Sequence, residues 1–189
     1  MSRIYITATG FIVDDNSVGQ MIQALNGLVT EKKPDEIYIL ISSPGGSVNS
    51  GIVLYNFIRS IPTKVITHNI GQVDSIGNVI FLAGEERYMA PATSFLFHGV
   101  IMNGNGPFNL SKSQLDELLS QFQQDETRIE QIVCDRTDIT KTKLRGFYDR
   151  GESLNSDDAL KFGIVNKVIV PSIPDDAESF IFSLHVPSN

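Results

Sequence analysis

The stretch Glu36-Ile-Tyr-Ile-Leu-Ile-Ser42 limits what this chain can fold into more than any other. It is a nearly continuous β-branched and aliphatic run rather than an alternation, the pattern of a strand buried on both faces. Pro44-Gly45-Gly46 ends it. Such a strand needs helices on either side. Asp15 to Val29 places Val18, Ile22, Leu25 and Val29 on one helical face, and Ser47 to Arg59 carries Val48, Ile52, Leu54, Tyr55 and Ile58 at helical spacing. Lys64 to Ile70 returns as a strand, which completes a β-α-β unit. Ile4 to Thr7 is predicted as a short first strand, Ser75 to Ala83 as a buried helix, and Ser94 to Phe97 as a short strand ending at His98. Leu115, Leu118, Leu119, Phe122, Ile129, Ile132 and Val133 keep a 3-4 spacing, predicting a long amphipathic helix from Ser111, its N-cap, to Cys134. Asp157 to Phe162 reads as a last short helix ending at Gly163, and Ile164 to Val170 as a closing strand. Strands separated by helices imply an α/β fold with mostly parallel pairing.

The 189 residues fit one domain, with no linker, repeat or low-complexity tract to divide them; from Pro171 the tail shifts toward turn residues and reads as an appendage. With 22 acidic against 15 basic residues and no basic run, the chain lacks the cationic surface that nucleic acid requires. Two long uncharged windows, Ile37 to Ile58 and Tyr88 to Ser111, fail as membrane spans. Ser42-Ser43-Pro44-Gly45-Gly46 interrupts the first, and Pro91, His98 and Asn103-Gly104-Asn105-Gly106-Pro107 interrupt the second. Cys134 is the single cysteine and the N-terminus lacks the plan of a secretory signal, so a cytoplasmic location is expected.

Two turns and three histidines bear on chemistry. Ser42-Ser-Pro-Gly-Gly-Ser47 joins a buried strand to a helix; its glycines either let backbone amides approach a substrate or simply make a tight turn. Gly71-Gln-Val-Asp-Ser-Ile-Gly77 also opens a helix, so Ser75 is either a nucleophile beside free N–H groups or a helix cap. A serine hydroxyl needs a base. His98 ends a strand where clefts form, His68 lies inside a strand and His185 lies in the tail. With no HExxH, paired Cys, Walker loop or GxGxxG, neither a metal nor a cofactor is expected, and serine hydrolysis is what remains.

Ile41-Ser-Ser-Pro-Gly-Gly-Ser-Val48 followed by Gly71-Gln-Val-Asp-Ser-Ile-Gly77 resembles the proteolytic subunit of the Clp protease (ClpP), with twenty-nine positions from Gly46 to Ser75. The likeness runs from about Ile4 to Val170. It implies a ClpP/crotonase-like fold of repeated β-β-α units in a spiral, with a protruding handle helix inside a handle region spanning about residues 99–134. It implies Ser75 as nucleophile, His98 as general base, and the N–H groups of Gly46 and Ile76 as oxyanion hole. Substrate is expected as an extended strand beside Ser43 to Val48 and the strand after His98. Asn103-Gly104-Asn105-Gly106 and the Ser111 to Cys134 helix resemble the handle at which two rings stack, so self-association into rings around a chamber is implied. Polypeptides are the expected substrates; an AAA+ unfoldase is the partner the resemblance implies, but the first strand begins at Ile4 and leaves almost no segment for the loops that meet that ATPase, so degradation of peptides or loosely folded proteins without ATP stands as the alternative.

The third triad member departs from the family pattern. Counted back from Leu154-Asn-Ser-Asp-Asp-Ala159, the expected aspartate falls on Gly151. Asp149 is the candidate if two residues are inserted; otherwise Glu152 or no carboxylate orients His98. Asp74 places a negative charge beside Ser75 that disfavours an oxyanion unless it points away. Two rival readings follow. One is a non-catalytic subunit that assembles with active ones, motivated by the displaced acid. The other is a crotonase-fold acyl-CoA enzyme, against which the Ser75 and His98 pair argues.

Overall fold

The computed structural model describes residues 2–10, 15–101 and 109–184. The apolar runs become strands of one eight-stranded sheet. Its elements in chain order are β1 (Arg3–Gly10), α1 (Asp15–Gly27), β2 (Glu36–Ser43), α2 (Val48–Ser60), β3 (Lys64–Asp74), α3 (Ile76–Phe81), β4 (Glu86–Met89), β5 (Ser94–Phe97), α4 (Lys112–Arg136), α5 (Lys141–Arg150), β6 (Glu152–Leu154), α6 (Ser156–Lys161), β7 (Lys167–Val168) and β8 (Ser179–Leu184). A π-helical turn, Leu28–Lys32, extends α1. The sheet runs β6-β5-β3-β2-β1-β8 and is parallel except where β6 meets β5.

The fully buried strand falls where its composition places it, with β2 between β1 and β3. β3 runs four residues past the expected Ile70. Its first half pairs with β4 through Ile66↔Glu86 to Asn69↔Met89, and its second with β5 through Gln72↔Ser94 to Asp74↔Leu96. One long strand therefore carries the chain from the sheet's centre to the place where β5 delivers His98. The core lies mainly on the face covered by α1, α2 and α3, where Phe81, Phe95, Phe147 and Leu54 are almost inaccessible.

The closing strand is shorter than expected, only Lys167–Val168. Residues in the tail form β8 instead, which pairs in parallel with β1 from Tyr5↔Ser179 to Gly10↔Leu184. The Asn103 to Gly106 segment and His185 lie outside the described residues. Among those described, no helix is long and apolar enough to cross a membrane.

The opposite face of the sheet carries a smaller cluster of Tyr5, Tyr38, Leu40, Ile66 and Tyr88. His68 belongs to it. Its Nε2 faces the Ile169 carbonyl at 3.0 Å, and a carbonyl can only accept, so the proton sits on Nε2 and Nδ1 accepts from the Tyr38 hydroxyl at 2.6 Å. Burial lowers the His68 pKa against the opposing pull of the Ile169 carbonyl, and it pushes the Tyr38 hydroxyl up to about 12. His68 is a neutral, paired core residue. At the strand starts, buried Glu36 accepts from Arg3 at 2.8 Å and Lys64 at 2.9 Å, its partners in the β1 and β3 registers.

Removing the Tyr38 hydroxyl leaves His68 Nδ1 buried without a donor, so Tyr38→Phe is expected to lose about 1–3 kcal/mol of stability in urea unfolding at pH 7.5. The folded chain holds His68 neutral while the unfolded chain takes up a proton near pH 6.5. Wild-type stability is therefore expected to fall between pH 7.5 and 5.5, and to fall less in His68→Gln.

Candidate active site

Ser75 sits at the junction of β3 and α3, where the chain turns sharply. Its backbone is at φ 56°, ψ −127°, a left-handed region that a residue with a Cβ enters at a cost of about 1–3 kcal/mol. Three contacts hold it there. The Ser75 N–H donates to the Leu96 carbonyl at 2.9 Å, extending the β3 and β5 register by one residue. The Asn78 N–H donates to the Ser75 carbonyl at 3.1 Å, closing the first turn of α3. Gly45, at φ 98°, packs against the serine so closely that a Cβ there would lie 2.7 Å from Ser75 Cβ and 3.3 Å from its Oγ. The second glycine, Gly46, has φ 149° and is exposed.

The helix-cap reading of Ser75 does not hold, because its side chain makes no cap hydrogen bond. Capping at the neighbouring helix is done instead by Ser47, which accepts from Ser50 N–H at 3.3 Å. Ile76, the first residue of α3, is 1% exposed and has no intrahelical acceptor for its N–H. Its side chain lies on α2 where Gly51 leaves room: a Cβ at 51 would be 2.3 Å from Ile76 Cγ1.

His98 follows β5 directly. Its Nδ1 lies 2.7 Å from the Gly99 carbonyl, which accepts only, so Nδ1 carries the proton and Nε2 keeps its lone pair. Ser75, His98 and Gly46 line one cavity of about 790 Å³, and its apolar wall comes from Phe97, Val48 and the inner side of α4 through Leu118, Phe122, Ile129 and Val133. Ser75 Oγ and the His98 ring share the cavity without a hydrogen bond between them.

The carboxylates are arranged differently from the expected triad. Asp149 is exposed in the last turn of α5 and makes no hydrogen bond or ion pair with a described residue. Glu152 stands opposite Phe97 in the β5 and β6 register, and its carboxylate is taken by Arg150 Nε at 2.9 Å. Asp74, singled out only as a hazard in the sequence, is a carboxylate whose ionisation His98 favours. It is half-buried; desolvation raises its pKa, opposed by a hydrogen bond with the Leu96 backbone and by the attraction of His98. Sequence reasoning also passed over Asn78, 3% exposed, whose Nδ2 donates to the same Leu96 carbonyl at 2.8 Å. The signal was available: Asn78 lies three residues beyond Ser75, one helical turn away.

The chain as a whole is similar to known proteins over most of its length. The family model described as Clp protease matches residues 2–172. The chain is 32% identical over 170 residues to the ATP-dependent Clp protease proteolytic subunit 2 of Pseudomonas aeruginosa, covering 89% of this chain and 81% of that protein. Among solved structures it is similar to a ClpP1 point mutant from Listeria monocytogenes, with TM-score 0.75 and 24% identity over 87% of this chain and 90% of that one.

Two outcomes follow from the geometry. Gly45→Ala forces Cβ into the serine, and labelling of Ser75 by a fluorophosphonate is expected to slow by about 10²-fold, the cost of a misplacement near 1 Å. Asp74 has a folded pKa above its unfolded value, so its contribution is favourable below the carboxylate range and is lost as pH rises. Asp74→Asn is expected to raise the thermal midpoint at pH 7, with the difference closing as pH falls toward 3.

Proposed function

Because the chain belongs to the Clp protease family, we propose that it is a serine endopeptidase cleaving unfolded polypeptides through an acyl-enzyme. The supporting observation is the strained Ser75 sharing one cavity with a His98 ring whose Nε2 is left as the base. In this reading Ser75 Oγ attacks the scissile carbonyl while His98 Nε2 takes its proton. The oxyanion is met by the N–H groups of Gly46 and Ile76. Collapse breaks the C–N bond, and the imidazolium returns its proton to the leaving amine. Water, deprotonated by the same nitrogen, then releases the acyl group and restores the serine. Substrate lies extended beside Ser43 to Val48 and the chain after His98, paired through main-chain groups.

The Gly99 carbonyl fixes the His98 tautomer where a triad carboxylate would. Asp149 and Glu152 are then bystanders. A second reading, a subunit that assembles without hydrolysing, is favoured by the absence, among the described residues, of a Ser75 to His98 hydrogen bond and of a carboxylate on Nδ1.

Self-association into rings that stack through α4 completes the proposal, in the cytoplasm and with an AAA+ unfoldase as partner for folded substrates. The first half of α4 supports it: Leu115 and Leu119 are 49% and 50% exposed, an apolar edge outside the cavity wall.

Fluorophosphonate labelling and casein hydrolysis test the chemistry. An adduct on Ser75 that disappears in Ser75→Ala and falls at least 10³-fold in His98→Ala is expected, with Asp149→Asn within about threefold of wild type. Folded wild-type protein without adduct would establish the assembling role. Leu115→Glu with Leu119→Glu is expected to lower the mass measured by analytical ultracentrifugation, from stacked rings to single rings or smaller.

A further inference from the structure

The tail after β7 crosses the sheet instead of leaving it. β7 pairs with β4 at one edge and β8 pairs with β1 at the other, so residues 169–178 pass over β4, β3, β2 and β1 on their way. That distance is roughly 24 Å at the usual strand spacing, and a segment of this length covers it only when mostly extended, at about 3.3 Å per residue.

The crossing lies on the aromatic face. The Ile169 carbonyl accepts from His68 Nε2 at 3.0 Å, Ala177 packs on the cluster of Tyr5, Tyr38 and Tyr88, and the Glu178 carbonyl accepts from the Tyr5 N–H at 3.0 Å. Beneath it, Tyr5, Tyr38, His68 and Tyr88 come one from each of β1 to β4 and stand in a row, with successive ring centroids 5.3, 5.8 and 6.0 Å apart. The three tyrosines are buried, yet no residue from Ile169 to Phe182 is. The ion pair from Glu178 to Lys32, at 3.2 Å, joins two half-exposed side chains and holds weakly. Segments with so few buried contacts open before the core does. The family match ends at residue 172, so most of the crossing and all of β8 lie beyond it.

We propose that residues 169–184 are a strap that masks the aromatic row and lifts from the body as a unit. Seated, the strap closes the row to any other polypeptide. Lifted, it uncovers an apolar strip edged by hydroxyls and an imidazole, and an extended segment of another chain has to compete with the strap for that seat. The device is independent of the peptidase reading and holds equally for a subunit that does not hydrolyse.

The test uses full-length Ala177→Asp, which sets a carboxylate against the rings and so unseats the strap without altering the core. Tyrosine acetylation by N-acetylimidazole is followed by mass spectrometry. Tyr5, Tyr38 and Tyr88 are expected to react roughly 10-fold faster than in wild type, with Tyr55 unchanged as the reference. A fluorescent peptide of residues 169–184 is expected to bind the variant at least about 10-fold more tightly than wild type, whose own strap competes at an effective concentration near the millimolar range. Both proteins carry Ser75→Ala in that measurement, so no peptide is consumed. Hydrogen exchange of wild type needs no variant: amides of residues 171–184 are expected to exchange together, at least about 100-fold before those of β2 and β3. Protection of 171–184 equal to that of β2 and β3 would overturn the strap. So would tyrosines that stay unreactive in the variant, or peptide binding that is equal or absent in both proteins. If Ala177→Asp is insoluble, the exchange comparison decides alone.

Discussion

The Leu96 carbonyl is the acceptor on which the candidate site is built. It takes the Ser75 N–H at 2.9 Å and the Asn78 Nδ2 at 2.8 Å, so one peptide unit of β5 holds both ends of the first turn of α3. That clamp matters because Ser75 occupies a conformation that persists only where the surroundings over-determine it. They do so from three directions. The β3 register presents Leu96 at the right height, Gly45 admits the serine side chain at van der Waals limits, and Gly51 lets α2 approach Ile76 closely. The two glycines are required by space, and in Gly45 by a positive φ as well.

The same strand pair governs the electrostatics. Asp74 is in register with Leu96, two residues before His98, and a parallel pair puts registered side chains on one face. Its charge is therefore carried beside the imidazole by sheet geometry. Ungapped counting along the resemblance puts the expected aspartate on Gly151, which here is a left-handed cap: it has φ 63° and ends α5, its N–H donating to the Phe147 carbonyl. An aspartate at that turn would have to adopt the αL conformation. In the proposed mechanism a backbone carbonyl on Nδ1 takes the place of that acid, with half-buried Asp74 on the strand leading into the serine.

Much of this was legible in the residues, unevenly. β2 was plain because a strand buried on both faces leaves no polar position to confuse its period. The placement of Ser75, and of His98 after Phe97, followed from flanking strands with strong apolar patterns. β4, α5 and β6 were missed for local reasons. Glu86-Arg-Tyr-Met89 looks polar because Arg87 is buried by donating to four backbone carbonyls, those of Ile164, Gly84, Arg136 and Gly163, an arrangement that only tertiary structure can supply. α5 is mostly exposed and keeps only Leu144 and Phe147 in the core, too few to show a period. β8 reads as tail because Ile181 is 81% exposed at the sheet edge, where alternation means little without knowing the neighbour. The carboxylate question could not be settled from spacing, since a one-residue change in where a helix ends decides which acid reaches the imidazole.

The long helix shows where a periodic stripe stops meaning core. Its apolar positions were read as one face, yet Val133 is fully buried whereas Leu115 and Leu119 are half exposed. A helix of 25 residues is about 37 Å long; it packs against α3 and α5, and its buried residues, Glu130 and Val133, lie in its second half. In between, Leu118, Phe122 and Ile129 wall the cavity beside Ser75. One rigid element thus runs from the subunit core, past the cavity, to an apolar edge with no described residue covering it. Whatever packs on Leu115 and Leu119 bears on the wall against which a substrate side chain would rest. In the proposed rings, assembly and substrate binding act on the same helix, so a loosened ring contact would reach the cavity without any change in Ser75 or His98.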